Sequence, residues 1–218
     1  MKKHVKTVFL ALLLATGAPA TAEEFLNEET SKLIILGKTK AKQLCASCHN
    51  QNGISKMSIY PNLAKQHSGY LEKQLLDYKK GQEGRYNPIM YALTNQLSTE
   101  DIKSLSMYYS TQSANRNQTI RAEGDEEKIE QGKELYEYGS SERKITACSA
   151  CHGQSGEGIA TARIPKLNNQ NGDYIKSQLY SFREGKRNND MNKMMRIISK
   201  KLSDEDVENL SKYLSSIK

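Results

Sequence analysis

The chain has 218 residues, 32 Lys and Arg against 25 Asp and Glu, and 37% of its residues in the apolar set. At roughly 100 to 200 residues per domain this length gives one or two domains and excludes a disulfide-stapled mini-protein. The formal charge of +7 includes an N-terminal targeting segment, so it overstates the mature chain.

Residues 1–22 begin with Lys2, Lys3 and Lys6, continue through the apolar run from Val8 to Ala15, and end on Ala20-Thr21-Ala22, a small-x-small pattern. The run is far short of the roughly 18 to 20 apolar residues of a bilayer span, which predicts a cleaved signal peptide. Its removal takes three lysines and no acid, leaving 29 basic and 25 acidic side chains and a charge of +4. No later segment is apolar for long enough to span a membrane, so the expected location is the periplasm. Outside the cytoplasm, nucleic acid is not an expected partner for the excess lysine.

The mature chain opens with a helical pattern over Gly37 to Leu44, followed by Cys45-Ala46-Ser47-Cys48-His49. A second helix is predicted over Tyr70 to Lys79. A third follows Ser98, an N-cap with acids behind it, where Ile102, Leu105 and Tyr109 recur at helical spacing. Residues 110–126 are polar, with Ile120 as their one large apolar residue, and read as a linker. The pattern then starts again: helices over Glu130 to Tyr138 and Tyr174 to Arg183, then Ser203 as an N-cap before Val207, Leu210 and Leu214. No sustained alternation of period two occurs, so the fold class is all-α.

The chain is a tandem duplication. Cys45 to His49 stands over Cys148-Ser149-Ala150-Cys151-His152 at an offset of 103 residues, and Pro61-x-Leu63 over Pro165-x-Leu167 at 104. Gln66, Tyr70, Gln74 and Gly81 recur as Gln170, Tyr174, Gln178 and Gly185 at 104, and Leu97-Ser98 recurs as Leu202-Ser203 at 105. Two single-residue insertions account for the drift, and an insertion of eight lengthens Gly132 to Cys148 relative to Gly37 to Cys45. The expected domains are residues 23–109 and 127–218. Each is small for a core built from side chains alone.

All four cysteines lie in the two Cys-x-x-Cys-His segments. Two intervening residues put both thiols on one side of a turn, where they can add to the two vinyl groups of one haem while the adjacent His reaches the iron. Zinc sites, thioredoxin-like dithiols and plain structural cysteines are the alternatives. Zinc is disfavoured by the position of the His and the distance between motifs, and the other two by the oxidising compartment or the lack of a βαβ pattern. Two covalent haems c would also supply the missing apolar surface. With ionised propionates each ferric haem carries a formal charge of about minus one, which brings the mature protein to about +2.

A methionine thioether as sixth ligand would close the iron and raise its potential. Met57, Met90 and Met107 are candidates in the first copy, and Met191, Met194 and Met195 in the second. Met90 lies seven residues before Leu97 and Met195 seven before Leu202, so the repeat matches these two. Met194, one residue away, is the competing choice.

These residues resemble the class I cytochrome c fold, and the tandem resembles the dihaem cytochrome c4 family over essentially the whole mature chain. The resemblance implies that Pro61 and Pro165 accept, through their carbonyls, a hydrogen bond from the ring nitrogen of His49 and His152 that is not on iron. It implies domains packed face to face about an approximate two-fold, with Gln66, Tyr70, Gln74 and their counterparts near the interface or the propionates. The first copy departs in one loop, Asn50-Gln51-Asn52-Gly53 against Gly153-Gln154-Ser155-Gly156. The implied function is single-electron transfer in a respiratory chain, from a bc1-type donor to a terminal oxidase or another periplasmic acceptor, without catalysis. The alternatives are a dihaem enzyme of the peroxidase or thiosulfate-oxidising type, and a cytochrome subunit held in a membrane-associated oxidoreductase complex.

Overall fold

The computed structural model describes residues 22–114 and 126–217. The expected signal peptide, apart from Ala22, and the centre of the expected linker lie outside the described residues. In the first domain α1 (Ala22–Lys40) runs into a π-helical segment, Ala41–Cys45, and a single turn, α2 (Ala46–His49). Then come α3 (Ser68–Lys79), α4 (Pro88–Thr94) and α5 (Thr99–Thr111). The second domain repeats the order with α6 (Glu126–Tyr138), α7 (Ser149–His152), α8 (Gly172–Arg183), α9 (Met194–Ser199) and α10 (Asp204–Ser216). Among the described residues there is no strand, and extended pairing is confined to two isolated bridges, Ser140 with Ile145 and Ile159 with Ile164.

Local chemistry accounts for the helix ends. Ser98 and Ser203 each close a reciprocal cap: the hydroxyl accepts from the N–H of Asp101 or Asp206 at 3.0 Å, and that carboxylate accepts from the serine N–H. Two boundaries differ from the sequence expectation. The first helix already includes Ala22, the first described residue, rather than opening at Gly37; it lies along α5, buries Leu33 and sets Glu29 3.8 Å from Lys103. At the linker, Ser110, Thr111 and Glu126 are helical, and the hydroxyls of Ser110 and Thr111 bond back to the carbonyls of Met107 and Tyr108 at 2.8 Å.

Each domain packs its first helix across its last, α1 on α5 and α6 on α10. The crossings are close because a glycine sits at each. A Cβ on Gly37 would stand 2.1 Å from the Ser104 carbonyl oxygen, and one on Gly132 2.2 Å from that of Asn209. The apolar positions read from the sequence form the cores: Ile102, Leu105 and Tyr109 with Leu71 and Leu97, and Val207, Leu210 and Leu214 with Ile175 and Leu202. The eight-residue insertion becomes the turn bridged between Ser140 and Ile145, and it delivers Ile145 to the second core.

The two domains meet through a seam that repeats itself about an approximate two-fold. The Gln170 amide clamps the main chain of Asn62, accepting from its N–H at 2.8 Å and donating to its carbonyl at 3.0 Å. The Gln66 amide does the same to Lys166, at 2.9 and 3.0 Å. Residue 62 stands to 170 as 166 stands to 66, which is the reciprocal pattern of a two-fold interface. His67 adds a contact on one side only, with Nε2 2.9 Å from the Glu157 carbonyl.

Candidate haem-binding site

In each copy the Cys-x-x-Cys-His segment ends as one helical turn. Cys45 and Cys148 are the N-caps of α2 and α7, and Cys48-His49 and Cys151-His152 close those turns. Positions three apart on a helix are neighbours, so the two sulfurs of each motif share a face. The π-helical widening over Ala41–Cys45 delivers the first motif to this position. None of the four cysteines is in a disulfide, and burial pushes the Cys45 and Cys148 thiols up to about 11.

After the histidine the chain turns back at a residue with positive φ, +60° at Asn50 and +79° at Gly153. Asn50 thus adopts the backbone that glycine supplies in the second copy, and its side-chain oxygen accepts from the Gln51 N–H at 2.8 Å. The departure noted in this loop leaves its path unchanged. Leu63 N–H bonds to the Gly53 carbonyl and Leu167 N–H to that of Gly156, both at 2.7 Å.

The returning loop brings a proline carbonyl to each imidazole: His49 Nδ1 is 3.0 Å from Pro61 O, and His152 Nδ1 is 3.1 Å from Pro165 O. A proton on Nδ1 leaves the Nε2 lone pair free for a metal. Burial holds both histidines below their usual range against the opposing pull of those carbonyls, which keeps the rings neutral.

Both motifs open on one continuous cavity of about 1020 Å³. All ten residues singled out from the sequence line it: Cys45, Cys48, His49, Pro61 and Met90, and Cys148, Cys151, His152, Pro165 and Met195. Met191 and Met194 line it too, whereas Met57 and Met107 do not. Met194 is 36% exposed, while Met195 is half-buried like Met90. Four residues beyond Met90 and Met195 lie Thr94 and Ser199, both fully buried, so the two methionines hold the same place in their helices. In the first copy Asn87 caps α4 by accepting from the Met90 N–H at 3.0 Å, with Pro88 at the first helical position. In the second, Asp190 accepts from the Arg196 N–H at 3.0 Å and from its guanidinium at 2.7 Å, after the extra residue of that loop.

The residues fit haem. The cavity is at the upper end of the roughly 300 to 1,000 Å³ usual for one small-molecule site, and it serves two motifs. Its walls are largely apolar, with Leu and Ile the most frequent lining residues. The Tyr109 hydroxyl, buried at the cavity wall beside the first motif, faces the Cys45 thiol. Among the described residues no group of three His, Cys, Asp or Glu side chains is placed to hold a bare metal ion.

The sequence reading missed Arg85 and Arg187, which line the cavity at the seam between the domains. They are structural counterparts, since Arg85 N–H bonds to the Asp77 carbonyl and Arg187 N–H to that of Ser181. Their offset in sequence is 102 rather than 104, so the repeat register hid them. The available signal was that each is the one Arg between its middle helix and its methionine.

A helical chain with two such sites is, by class, a protein that carries two covalently bound c-type haems. The cytochrome c family model matches residues 34–113 and 129–218. Cytochrome c4 of Thiocapsa roseopersicina is 37% identical over 182 residues, covering 83% of this chain and 91% of that protein. A thiosulfate dehydrogenase electron acceptor of Stutzerimonas stutzeri (strain A1501) is 34% identical over 183 residues, covering 83% of this chain and 82% of that protein. The crystal structure of reduced recombinant cytochrome c4 from Pseudomonas stutzeri superposes with a TM-score of 0.78 at 33% identity, covering 85% of this chain and 98% of that one. The chain belongs to the cytochrome c family and, within it, to the dihaem cytochromes c4.

Proposed function

We propose that this dihaem cytochrome is an exported carrier in which His49 and Met90 hold one iron and His152 and Met195 the other. Cys45 with Cys48, and Cys148 with Cys151, would form the thioether links. The observation that carries the reading is the double occurrence, around one apolar cavity, of a buried neutral imidazole oriented by a proline carbonyl and a methionine at a matched helical position. Each haem, when bound, supplies an iron that cycles between ferric and ferrous by one electron. The chain's own residues fix the rest. Pro61 and Pro165 hold the imidazole planes, Met90 and Met195 close the position where a substrate would have to bind, and the apolar walls keep water out. Residues 23–109 and 127–218 would be the two carrier domains, joined by the polar stretch 110–126.

The donor in this reading is a bc1-type complex and the acceptor a terminal oxidase, met by transient docking outside the cytoplasm. Among the described residues no helix is long and apolar enough to cross a membrane. A second reading takes its support from the relative named as a thiosulfate dehydrogenase electron acceptor: the electrons would come from a sulfur-oxidising dehydrogenase. In both readings the protein carries electrons and does not transform a substrate.

The test is spectroscopic. The ferric protein is expected to show the far-red methionine-to-iron charge-transfer band at an intensity for two irons. Met90→Leu and Met195→Leu should each remove half of it, and Met194→Leu none. A high-spin iron in the wild-type protein would favour a dihaem enzyme, and loss of the band in Met194→Leu would move the ligand by one residue.

A further inference from the structure

Eleven residues after its capping serine, the last helix of each copy turns a buried side chain to the cavity: Tyr109 in α5 and Leu214 in α10, 3% and 4% exposed. Each belongs to the core against which the first cysteine of its own motif packs, Cys45 or Cys148. The two copies therefore differ at this point by a hydroxyl, and the hydroxyl faces the Cys45 sulfur. Its ring is held in place. A Cβ on Gly53 would stand 2.8 Å from Tyr109 Cδ1, the Tyr108 ring centroid lies 5.2 Å away, and the Tyr109 carbonyl accepts from the Lys65 N–H at 3.0 Å. Two neighbouring phenols are committed elsewhere: Tyr108 donates to the Gln51 carbonyl at 2.9 Å, and Tyr136, beside Cys148, to the Gly153 carbonyl at 2.7 Å. Tyr60, beside Cys48, is half-buried and leaves its hydroxyl open to solvent.

A cysteine joined to haem has no proton on sulfur, so toward a neighbouring hydroxyl it can only accept. A buried hydroxyl left without a partner is costly, and burial also holds the Tyr109 phenol well above its ordinary range, so it keeps its proton and remains a donor. We propose that the Tyr109 hydroxyl donates a hydrogen bond to the Cys45 thioether sulfur and raises the reduction potential of the first haem by an amount that Leu214 cannot supply to the second. The proposal rests on the dihaem reading above. In a low-dielectric cavity the positive end of an O–H dipole at the rim of the macrocycle favours the more electron-rich, ferrous state. Two irons with the same axial ligands thus become unequal through one side chain of the last helix.

The experiment uses the full-length holoprotein and its Tyr109→Phe variant, which removes one oxygen and keeps the ring. Haem content comes from pyridine haemochrome spectra, and the two midpoint potentials from optical redox titration. Proton NMR of the ferric haem methyls tells the haems apart, the set altered in Met90→Leu belonging to the first. Tyr109→Phe should lower the first potential alone, with a fall of about threefold in its reduction equilibrium constant, about 28 mV for one electron. Its methyl resonances should shift, those of the second haem should not, and the methionine band should stay intact. Leu214→Tyr places a hydroxyl at the matched point of the second copy and should raise the second potential alone; it decides the question if Tyr109→Phe does not mature. No shift, a rise in Tyr109→Phe, or an equal shift of both potentials overturns the proposal. A wild-type chain with fewer than two haems overturns the dihaem reading and this proposal with it, whereas two haems with an unmoved first potential overturns this proposal alone.

Discussion

Asn50 holds φ +60° and ψ 159° immediately after His49, where the second copy has Gly153 at φ +79° and ψ 161°. A residue with a Cβ in that region is strained by about 1–3 kcal/mol, and the hydrogen bond from Gln51 N–H to the Asn50 side chain offsets part of this. Asn50→Gly is expected to stabilise the first domain by up to about 1 kcal/mol, the remainder being lost to the greater freedom of glycine in the unfolded chain. Urea denaturation of the holoprotein, followed by the methionine band, checks the sign. At this scale the covalent motif and the histidines were legible because their chemistry is carried by residue type at short spacing. The methionine choice needed the repeat, and the structure adds the unequal exposure of Met194 and Met195.

At the scale of elements, the crossing of first and last helices depends on Gly37 and Gly132. In Gly37→Ala the new Cβ would meet the Ser104 carbonyl oxygen at 2.1 Å, and the nearby Tyr108 Cβ leaves no room for a sideways shift. The two helices must separate, which costs about 1–3 kcal/mol as overpacking does. Gly132→Ala should do the same to the second domain, against Asn209. Thermal denaturation of each variant is expected to show a lowered transition, with wild-type haem spectra retained below it. The helices after Ser98 and Ser203 were legible as caps followed by apolar residues at helical spacing. The stretch of α1 before Gly37 was not, because it is held by contacts with α5 that have no local signature.

For the whole molecule the seam is the decisive feature. Gln66 and Gln170 each make two hydrogen bonds to the main chain of the opposite domain, in buried surroundings. Truncating either leaves an N–H and a carbonyl unpaired, at roughly 1–3 kcal/mol for each buried group. Gln66→Ala combined with Gln170→Ala should let the domains separate while each keeps its haem. Small-angle scattering would then show a larger radius of gyration with unchanged haem spectra, and an unchanged radius would mean that other contacts hold the domains. The repeat showed that Gln66, Tyr70 and Gln74 recur, but two copies of one core would show recurrence equally well. Only their bonds across the seam distinguish the two cases.

The sequence by itself determined what is written in residue type and spacing along one stretch of chain: two helical copies, two covalent haem motifs, and helix caps. Each of these depends on neighbours within a turn or two, or on a register that duplication preserved. The tertiary structure decided what depends on residues about a hundred positions apart. It brought two cavities into one, placed each glutamine clamp on the other domain, and set Arg85 beside Arg187. An inserted residue shifts sequence register without moving a side chain's place in the fold, so the two arginines that face each other in space do not align in the repeat.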